Sequence, residues 1–316
     1  MAIKTVLFHL AKETDQYKVQ LVRDNAMRIY TISTVRMILF ILIILSFCIG
    51  ADTVTEATAY CCDYKQNIFA ESNVSSRHIP HFLLVNKSRY DAFQNENPNL
   101  PYDVVVALVN ANVDFKCYEN IQEVKDPYCY LALVNKNFSL PKDFTPSDLV
   151  QVNGAGTLRE KASESYINMR EAAKNENLTL VLRSSFRNYH SQVQSFNIMV
   201  ERYGYTSALS QSAKPGHSEH QLGLSIDVFH KRYEGGPSSH MHFQDTKEFE
   251  WMIHNAHKFG FILRYPKGMK HIHGFVFEPW HWRYIGVDAA TVMFDEGILT
   301  FEEYYGRYLD PRIFSF

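Results

Sequence analysis

A carboxylate inside an apolar segment is the feature that most constrains this sequence. Residues 224–229 read Leu-Ser-Ile-Asp-Val-Phe, so Asp227 lies between apolar neighbours. A short apolar run of this kind is typical of a buried strand. An ionised carboxylate is costly to bury unless it is paired or bound to a metal. The fold must therefore bring a compensating cation or donor group to Asp227.

Residues that bind metals are concentrated in the same part of the chain. The sequence has 14 histidines, and 11 of them lie between His190 and His281. Histidine is the commonest metal ligand and a frequent proton-transfer group. His220, Asp227 and His281 would supply three protein ligands and leave a fourth position open, as in catalytic rather than structural zinc sites. These three residues are candidate metal ligands.

Two further residues are candidates for chemistry beside such a metal. Glu278 precedes His281 by three positions, and a carboxylate there could accept a proton while hydroxide attacks a carbonyl. Arg187 could stabilise an oxyanion or hold a substrate carboxylate. Because Pro279 prevents a helical i, i+3 arrangement, spacing alone leaves open whether Glu278 and His281 converge.

Other histidine pairs are alternative metal ligands. His240 and His242 form one pair, and His271 and His273 form another. Neither pair has a carboxylate in an apolar context, so we expect these side chains to be mostly solvated loop residues.

The pattern of apolar residues predicts an α+β fold. Leu158, Ala162, Tyr166, Met169 and Ala173 recur at the spacing of one helix face. Helices and strands follow without strict alternation and strands crowd the end, which favours a mostly antiparallel sheet flanked by helices. Residues 103–110 fit either a helix or a buried strand. The pattern predicts helices near 193–203 and 249–260 and strands at 178–182, 224–229, 261–265 and 274–277.

The amino-terminal part predicts export. Residues 37–51 form an uncharged apolar run behind three arginines, which suits a signal peptide better than a full membrane span. Either Met27 is the true start, or the run extends back to Ile29 and acts as an uncleaved membrane anchor. Both alternatives assign residues 1–59 to a signal peptide or anchor. Both place the rest outside the cytoplasm, secreted or anchored at the cell envelope.

Beyond that segment the sequence predicts two regions. Residues 60–139 read as a small amino-terminal region with a linker, and a stretch with two prolines and turn formers places a boundary before 140–316, the expected catalytic domain. The net charge of −2 gives no electrostatic case for a nucleic-acid partner, which would normally show as a basic domain or stripe. A bridge between Cys117 and Cys129 would suit export, but we favour structural or buried thiols.

Several separated motifs, in order, carry a resemblance. From about residue 131 to 285 the chain resembles the VanY-like D-alanyl-D-alanine carboxypeptidases, zinc peptidases of the bacterial cell wall whose fold is shared with the hedgehog signalling domain. The matching elements are Ser218, His220, Gly223 and Asp227 in SxHxxGxxxD, the segment Glu278-Pro-Trp-His-Trp-Arg-Tyr284, Ser185, Phe186 and Arg187 followed by Gln192, and Gly260-Phe-Ile-Leu-Arg-Tyr-Pro266. Ser225 stands where the family usually has alanine.

The resemblance implies a complete site and a substrate. It implies removal of a terminal D-alanine from peptidoglycan stem peptides, with D,D against L,D specificity left open. We expect the enzyme to be a monomer. The alternatives are an endopeptidase or a non-catalytic wall module of the same fold. The implied roles are Zn²⁺ on His220, Asp227 and His281, Glu278 as general base, and Arg187, Gln192 and Ser218 in contact with the peptide.

Overall fold

The computed structural model describes residues 79–152, 155–230 and 241–309, together with three strands near the amino terminus. Residues 1–72 and 73–316 form two separate units. In the first unit, β1 (Lys12–Glu13), β2 (Gln16–Arg23) and β3 (Ala26–Ser33) form an antiparallel sheet in that order. The apolar run 37–51 lies outside the described residues. Within those described, no helix is long and apolar enough to cross a membrane.

The second unit begins with helices and short strands that lead to the central sheet. Helices α1 and α2 come first, a two-stranded parallel ladder of β4 and β5 follows, and the antiparallel pair β6 and β7 runs directly into α3. Their bounds are α1 Lys87–Glu96, α2 Tyr102–Asn110, β4 Gln122–Glu123, β5 Phe138–Ser139, β6 Leu149–Gln151, β7 Thr157–Arg159 and α3 Glu160–Asn175.

The remaining elements alternate sheet strands with helices. The bounds are β8 Val181–Ser184, α4 Tyr189–Tyr203, α5 Tyr205–Gln211, β9 Ser225–Phe229, α6 Lys247–Asn255, β10 Phe261–Leu263, α7 Lys270–His273, β11 His281–Tyr284, α8 Val287–Asp295 and α9 Phe301–Tyr308. A short 3-10 helix at Glu219–Leu222 precedes β9. Two others flank α6, at Met241–Asp245 before it and at Ala256–Phe259 after it.

The central sheet confirms the predicted α+β class. Its strand order is β10-β11-β9-β8, and every neighbouring pair is antiparallel. His281 of β11 pairs with Asp227 of β9. On the other side of β9, Ser184 also pairs with Asp227, after an irregularity between Leu182 and Ser184. Directly paired residues project to the same face of a sheet, so this register brings two candidate metal ligands together.

Helix α3 follows its predicted face. Leu158, Ala162, Tyr166, Met169 and Ala173 are all at most 1% exposed. Leu158 belongs to β7, because the helix begins at Glu160. Burial of a stripe at this spacing is the main stabilising term for a surface helix.

Other predicted elements were shifted or wrong. The strand expected at 178–182 is β8, which begins at Val181. The strand expected at 274–277 was wrong. Helix α7 ends at His273 and is followed by Gly274, whose φ of +81° is left-handed, and the chain continues without regular structure. A glycine in this conformation turns the backbone away from an extended strand.

The ambiguous segment 103–110 is helical, as α2, and it packs closely against α9. A Cβ atom at Gly306 of α9 would lie 1.8 Å from the carbonyl oxygen of Ala107, so only glycine permits this approach.

Backbone contacts cross the predicted domain boundary at residue 140, where the Leu140 N–H donates to the Gly216 carbonyl at 2.7 Å. The division between 60–139 and 140–316 stays a prediction.

Two of the cysteines lie in the described residues. Cys117 is exposed, Cys129 is buried, and no disulfide joins them. Cys61 and Cys62 lie outside the described residues. The favoured interpretation of a buried thiol fits Cys129 and does not describe the exposed Cys117.

Candidate metal centre

Three donor side chains converge at the paired ends of β9 and β11. One ligand atom from each of His220, Asp227 and His281 lies within 4.8 Å of the others. Nδ1 of His281 is 3.1 Å from one Asp227 oxygen, and Nε2 of His220 is 3.5 Å from the other. Both imidazoles are at most 4% exposed. Their rings are nearly perpendicular, with centroids 5.0 Å apart.

His220 is oriented by the turn that leads into β9. The 3-10 helix carrying it ends at Gly223, whose φ is +68° and where a Cβ would lie 2.8 Å from a Leu149 methyl group. Nδ1 of His220 is 2.6 Å from the carbonyl oxygen of Ser185. A carbonyl only accepts, so Nδ1 carries the proton and Nε2 presents its lone pair to the centre.

The charge states of the three residues fit a divalent cation. Burial lowers the pKa of His220, which favours the neutral ring that a metal requires. Burial raises the pKa of Asp227, but the two imidazoles beside it hold that pKa well below its ordinary range. Burial lowers the pKa of His281, yet Asp227 and Glu219 raise it to about 9, so without a metal this ring holds a second proton. A metal ion would replace that proton, and a set of two imidazoles and one carboxylate suits Zn²⁺.

Glu278 reaches the centre through a tight turn rather than a helix. The His281 N–H donates to the Glu278 carbonyl at 3.1 Å, and the Glu278 N–H donates to the Tyr265 carbonyl at 3.2 Å. The Glu278 side chain is buried and, within the described part of the chain, makes no hydrogen bond or ion pair. Burial raises its pKa to about 8, against the opposing charges of His281 and Arg187. A carboxyl group with a pKa near neutrality can both accept and donate a proton.

Arg187 is held beside the centre by two contacts. Its backbone N–H donates to the His220 carbonyl at 3.1 Å, and its Nε donates to Oε1 of Gln192 at 2.6 Å. The charge of its guanidinium group interacts with Asp227 and Glu278. Its two Nη groups have no hydrogen-bond partner among the described residues, so they can serve an anionic ligand.

Two further residues, Gln192 and Ser218, were expected to contact a peptide. Both are buried, but they differ in their side-chain hydrogen bonds. Gln192 is 1% exposed, and its amide donates to the Ala213 carbonyl at 2.7 Å while its oxygen accepts from Arg187. The side chain therefore positions Arg187 in this structure. Ser218 is buried immediately before the 3-10 helix that carries His220. Its hydroxyl makes no side-chain hydrogen bond with any described residue.

The alternative histidine pairs do not form a metal site among the described residues. His242 and His271 are exposed, as expected, and His240 lies outside the described residues. The expectation for His273 was wrong, because this ring is 2% exposed and its Nδ1 accepts from the Phe275 N–H at 3.2 Å. Helix α7 turns His273 inward, which a count of polar neighbours in sequence does not reveal.

A buried ion cluster next to the candidate metal centre was missed from the sequence. It comprises Glu219, Arg264, Arg283 and Glu302, whose side chains are fully buried. Arg264 donates to both Glu302 oxygens at 2.9 and 2.7 Å, and to Glu219 at 2.8 Å. Arg283 donates to Glu219 at 2.7 Å and to the Ala132 carbonyl at 2.8 Å. The available signal was the same as for Asp227: Arg264 and Arg283 stand among apolar strand residues.

Comparison with known proteins identifies similar sequences and a similar structure. A family model described as VanY, D-alanyl-D-alanine carboxypeptidase, matches residues 155–287. The Bacillus subtilis protein YodJ, a predicted carboxypeptidase, is 37% identical over 203 residues, which cover 61% of this chain and 73% of that protein. A D-alanyl-D-alanine carboxypeptidase of Enterococcus faecalis is 32% identical over 183 residues, 55% of this chain and 65% of the relative.

Among solved structures, the LD-carboxypeptidase LdcB is similar at 35% identity with a TM-score of 0.54. The match covers 61% of this chain and 92% of that chain. The LdcB structure reveals the basis of peptidoglycan recognition by that enzyme. Sequence and fold therefore agree on the same group of peptidases.

Proposed function

This chain belongs to the VanY family of D-alanyl-D-alanine carboxypeptidases, and we propose that it removes a terminal D-alanine from peptidoglycan stem peptides in a zinc-dependent reaction. The observation that carries the proposal is the convergence of His220, Asp227 and His281 beside Glu278, which is buried and has no ion-pair partner among the described residues. A binding module would have no need of a carboxyl group held in that position.

The proposed chemistry assigns each side chain a role. His220, Asp227 and His281 would hold zinc, which when bound supplies Lewis acidity that activates water and polarises a carbonyl. Glu278 accepts a proton from the attacking water and delivers it to the departing amine, because its raised pKa allows both transfers.

Arg187 provides the recognition that a carboxypeptidase needs. Its Nη groups form a planar fork that matches the two oxygens of a terminal carboxylate. Gln192 fixes the direction of that fork by accepting from Nε. Arg187 would thus select peptides that end at the residue to be removed.

Incubation with two synthetic stem peptides tests this proposal and its finer specificity. The zinc-loaded full chain is incubated with a pentapeptide ending in D-Ala-D-Ala and with a tetrapeptide ending in a single D-alanine. Mass spectrometry of the products is expected to show loss of one alanine from at least one of them. Loss from the pentapeptide assigns a D,D-carboxypeptidase, and loss from the tetrapeptide an L,D-carboxypeptidase. Loss from neither, in a preparation that binds zinc, contradicts the proposal.

We also propose that the chain acts outside the cytoplasm, where such substrates lie. The support is the apolar run 37–51 behind its arginines. Fractionation of cells followed by the mass of the mature protein tests this. Loss of about the first 59 residues indicates a cleaved signal, and a full-length membrane form indicates an anchor. A full-length protein in the cytoplasmic fraction would contradict export.

A further inference from the structure

Glu219 joins the ion cluster to the candidate metal centre. Its Oε1 accepts from Nε of Arg264 at 2.8 Å and from Nη1 of Arg283 at 2.7 Å. Its Oε2 accepts from the hydroxyl of Ser225 at 3.4 Å and lies 3.5 Å from Nε2 of His281. The two oxygens therefore face different groups, since the arginines bind one and the other faces a metal ligand.

The two ring nitrogens of His281 face different carboxylates, those of Asp227 and Glu219. Nδ1 lies 3.1 Å from Asp227, on the side of the centre, while Nε2 is buried and has no hydrogen bond within the described residues. For Nδ1 to offer a lone pair to a metal, the remaining proton must sit on Nε2 and point to an acceptor. The Glu219 oxygen at 3.5 Å is placed to become that acceptor after a small rotation of the ring.

We propose that Glu219 is a positioning residue that keeps the His281 proton on Nε2 and so leaves Nδ1 available to zinc. The inference rests on the proposed function, because it concerns the same metal. Arg264 and Arg283 hold Glu219 in place from behind, so the carboxylate cannot turn away from the ring. Glu302, on the far side of Arg264, contributes to the cluster without being placed against His281.

The substitution Glu219→Gln replaces the hydrogen-bond acceptor that faces Nε2 of His281 with a donor. The two arginines only donate, so the carbonyl oxygen of the new amide must stay beside them. Its NH2 group then faces Nε2 and can only donate, which favours the tautomer with the proton on Nδ1. That proton blocks the nitrogen expected to bind the metal. Glu302→Gln is the matched control, because it removes one negative charge from the same cluster without facing the ring.

Metal affinity of the full chain tests the inference without any substrate. Metal-free wild type, E219Q and E302Q are titrated with zinc in competition with a chromophoric chelator, and folding is followed by circular dichroism. We expect E219Q to weaken zinc binding about 10–100-fold and E302Q to have a much smaller effect. Cobalt loading should show a changed visible spectrum for E219Q and a wild-type spectrum for E302Q, since the spectrum reports ligand geometry.

A third variant covers the case in which E219Q does not fold. Glu219→Asp keeps the negative charge between the arginines but withdraws the oxygen from His281 by one methylene group, so weaker zinc binding is again expected. Wild-type affinity in folded E219Q or E219D would overturn the inference, as would equal weakening by E302Q. Failure of wild type to bind zinc more tightly than Asp227→Ala would instead overturn the proposed function.

Discussion

Two buried charged regions lie side by side in this protein, and they are built differently. In the ion cluster, two arginines meet two glutamates and every charged group is hydrogen-bonded. In the candidate metal centre, Asp227 is surrounded by imidazoles, and the Glu278 side chain has no hydrogen-bond or ion-pair partner within the described residues. A buried charge without a complete set of partners is costly. The ion cluster, whose charges are all paired, therefore serves as a scaffold. The candidate metal centre, whose partners are incomplete, is suited to binding and chemistry.

The largest expected effect is loss of activity when metal is removed. Excess chelator should abolish peptide hydrolysis, and zinc in excess over the chelator should restore it, because His220, Asp227 and His281 form a donor set that suits zinc. Hydrolysis is followed by release of D-alanine, with circular dichroism as the control for folding. Full activity of a metal-free preparation would show that peptide hydrolysis does not depend on a metal at the candidate metal centre.

Replacement of Glu278 should have the next largest effect. We expect Glu278→Ala to lower kcat about 10²–10⁴-fold while zinc content remains at the wild-type level, because Glu278 is not among the three converging ligands. Steady-state kinetics and metal analysis of the same preparation measure both quantities. Wild-type turnover in this variant would remove Glu278 from the mechanism.

Substitutions in the ion cluster should instead lower the free energy of unfolding. Glu302→Ala leaves Arg264 without its bidentate partner, so the free energy of unfolding should fall by about 3–5 kcal/mol. Glu303→Ala, which removes a partly exposed neighbour paired with Arg307, should cost at most about 1 kcal/mol. Urea unfolding of both variants makes the comparison. Equal losses of unfolding free energy in the two variants would mean that the ion cluster does not act as a scaffold.

A smaller, pH-dependent effect is expected from His273, which lies near the cluster. Burial lowers its pKa to about 4 from an ordinary value of 6.5. The unfolded chain therefore binds the proton more readily, and stability is lost as pH falls from 6.5 to 4, by about 2–3 kcal/mol. Above pH 6.5 this loss is absent. His273→Asn should flatten the unfolding free energy over that range, and an unchanged slope would assign the loss to other groups.

Patterns along the chain predicted the local structure best. The spacing of Leu158 to Ala173 predicted α3, and the apolar residues around Asp227 predicted β9. The prediction for 274–277 was wrong because Gly274 adopts a left-handed conformation at the end of a short helix. For 103–110, periodicity could not separate helix from strand. The structure shows a helix, which packs against Gly306, nearly 200 residues away in sequence.

The sequence by itself determined the chemistry available to this protein. It contains the donor residues His220, Asp227 and His281, the carboxyl group of Glu278, and motifs that identify the VanY family. These follow from residue identity and short spacing, which a linear chain records. The tertiary structure decided which groups meet: antiparallel pairing sets His281 opposite Asp227, and Glu219 comes between His281 and two arginines. Such contacts depend on strand register and burial between distant segments, and no local pattern encodes them.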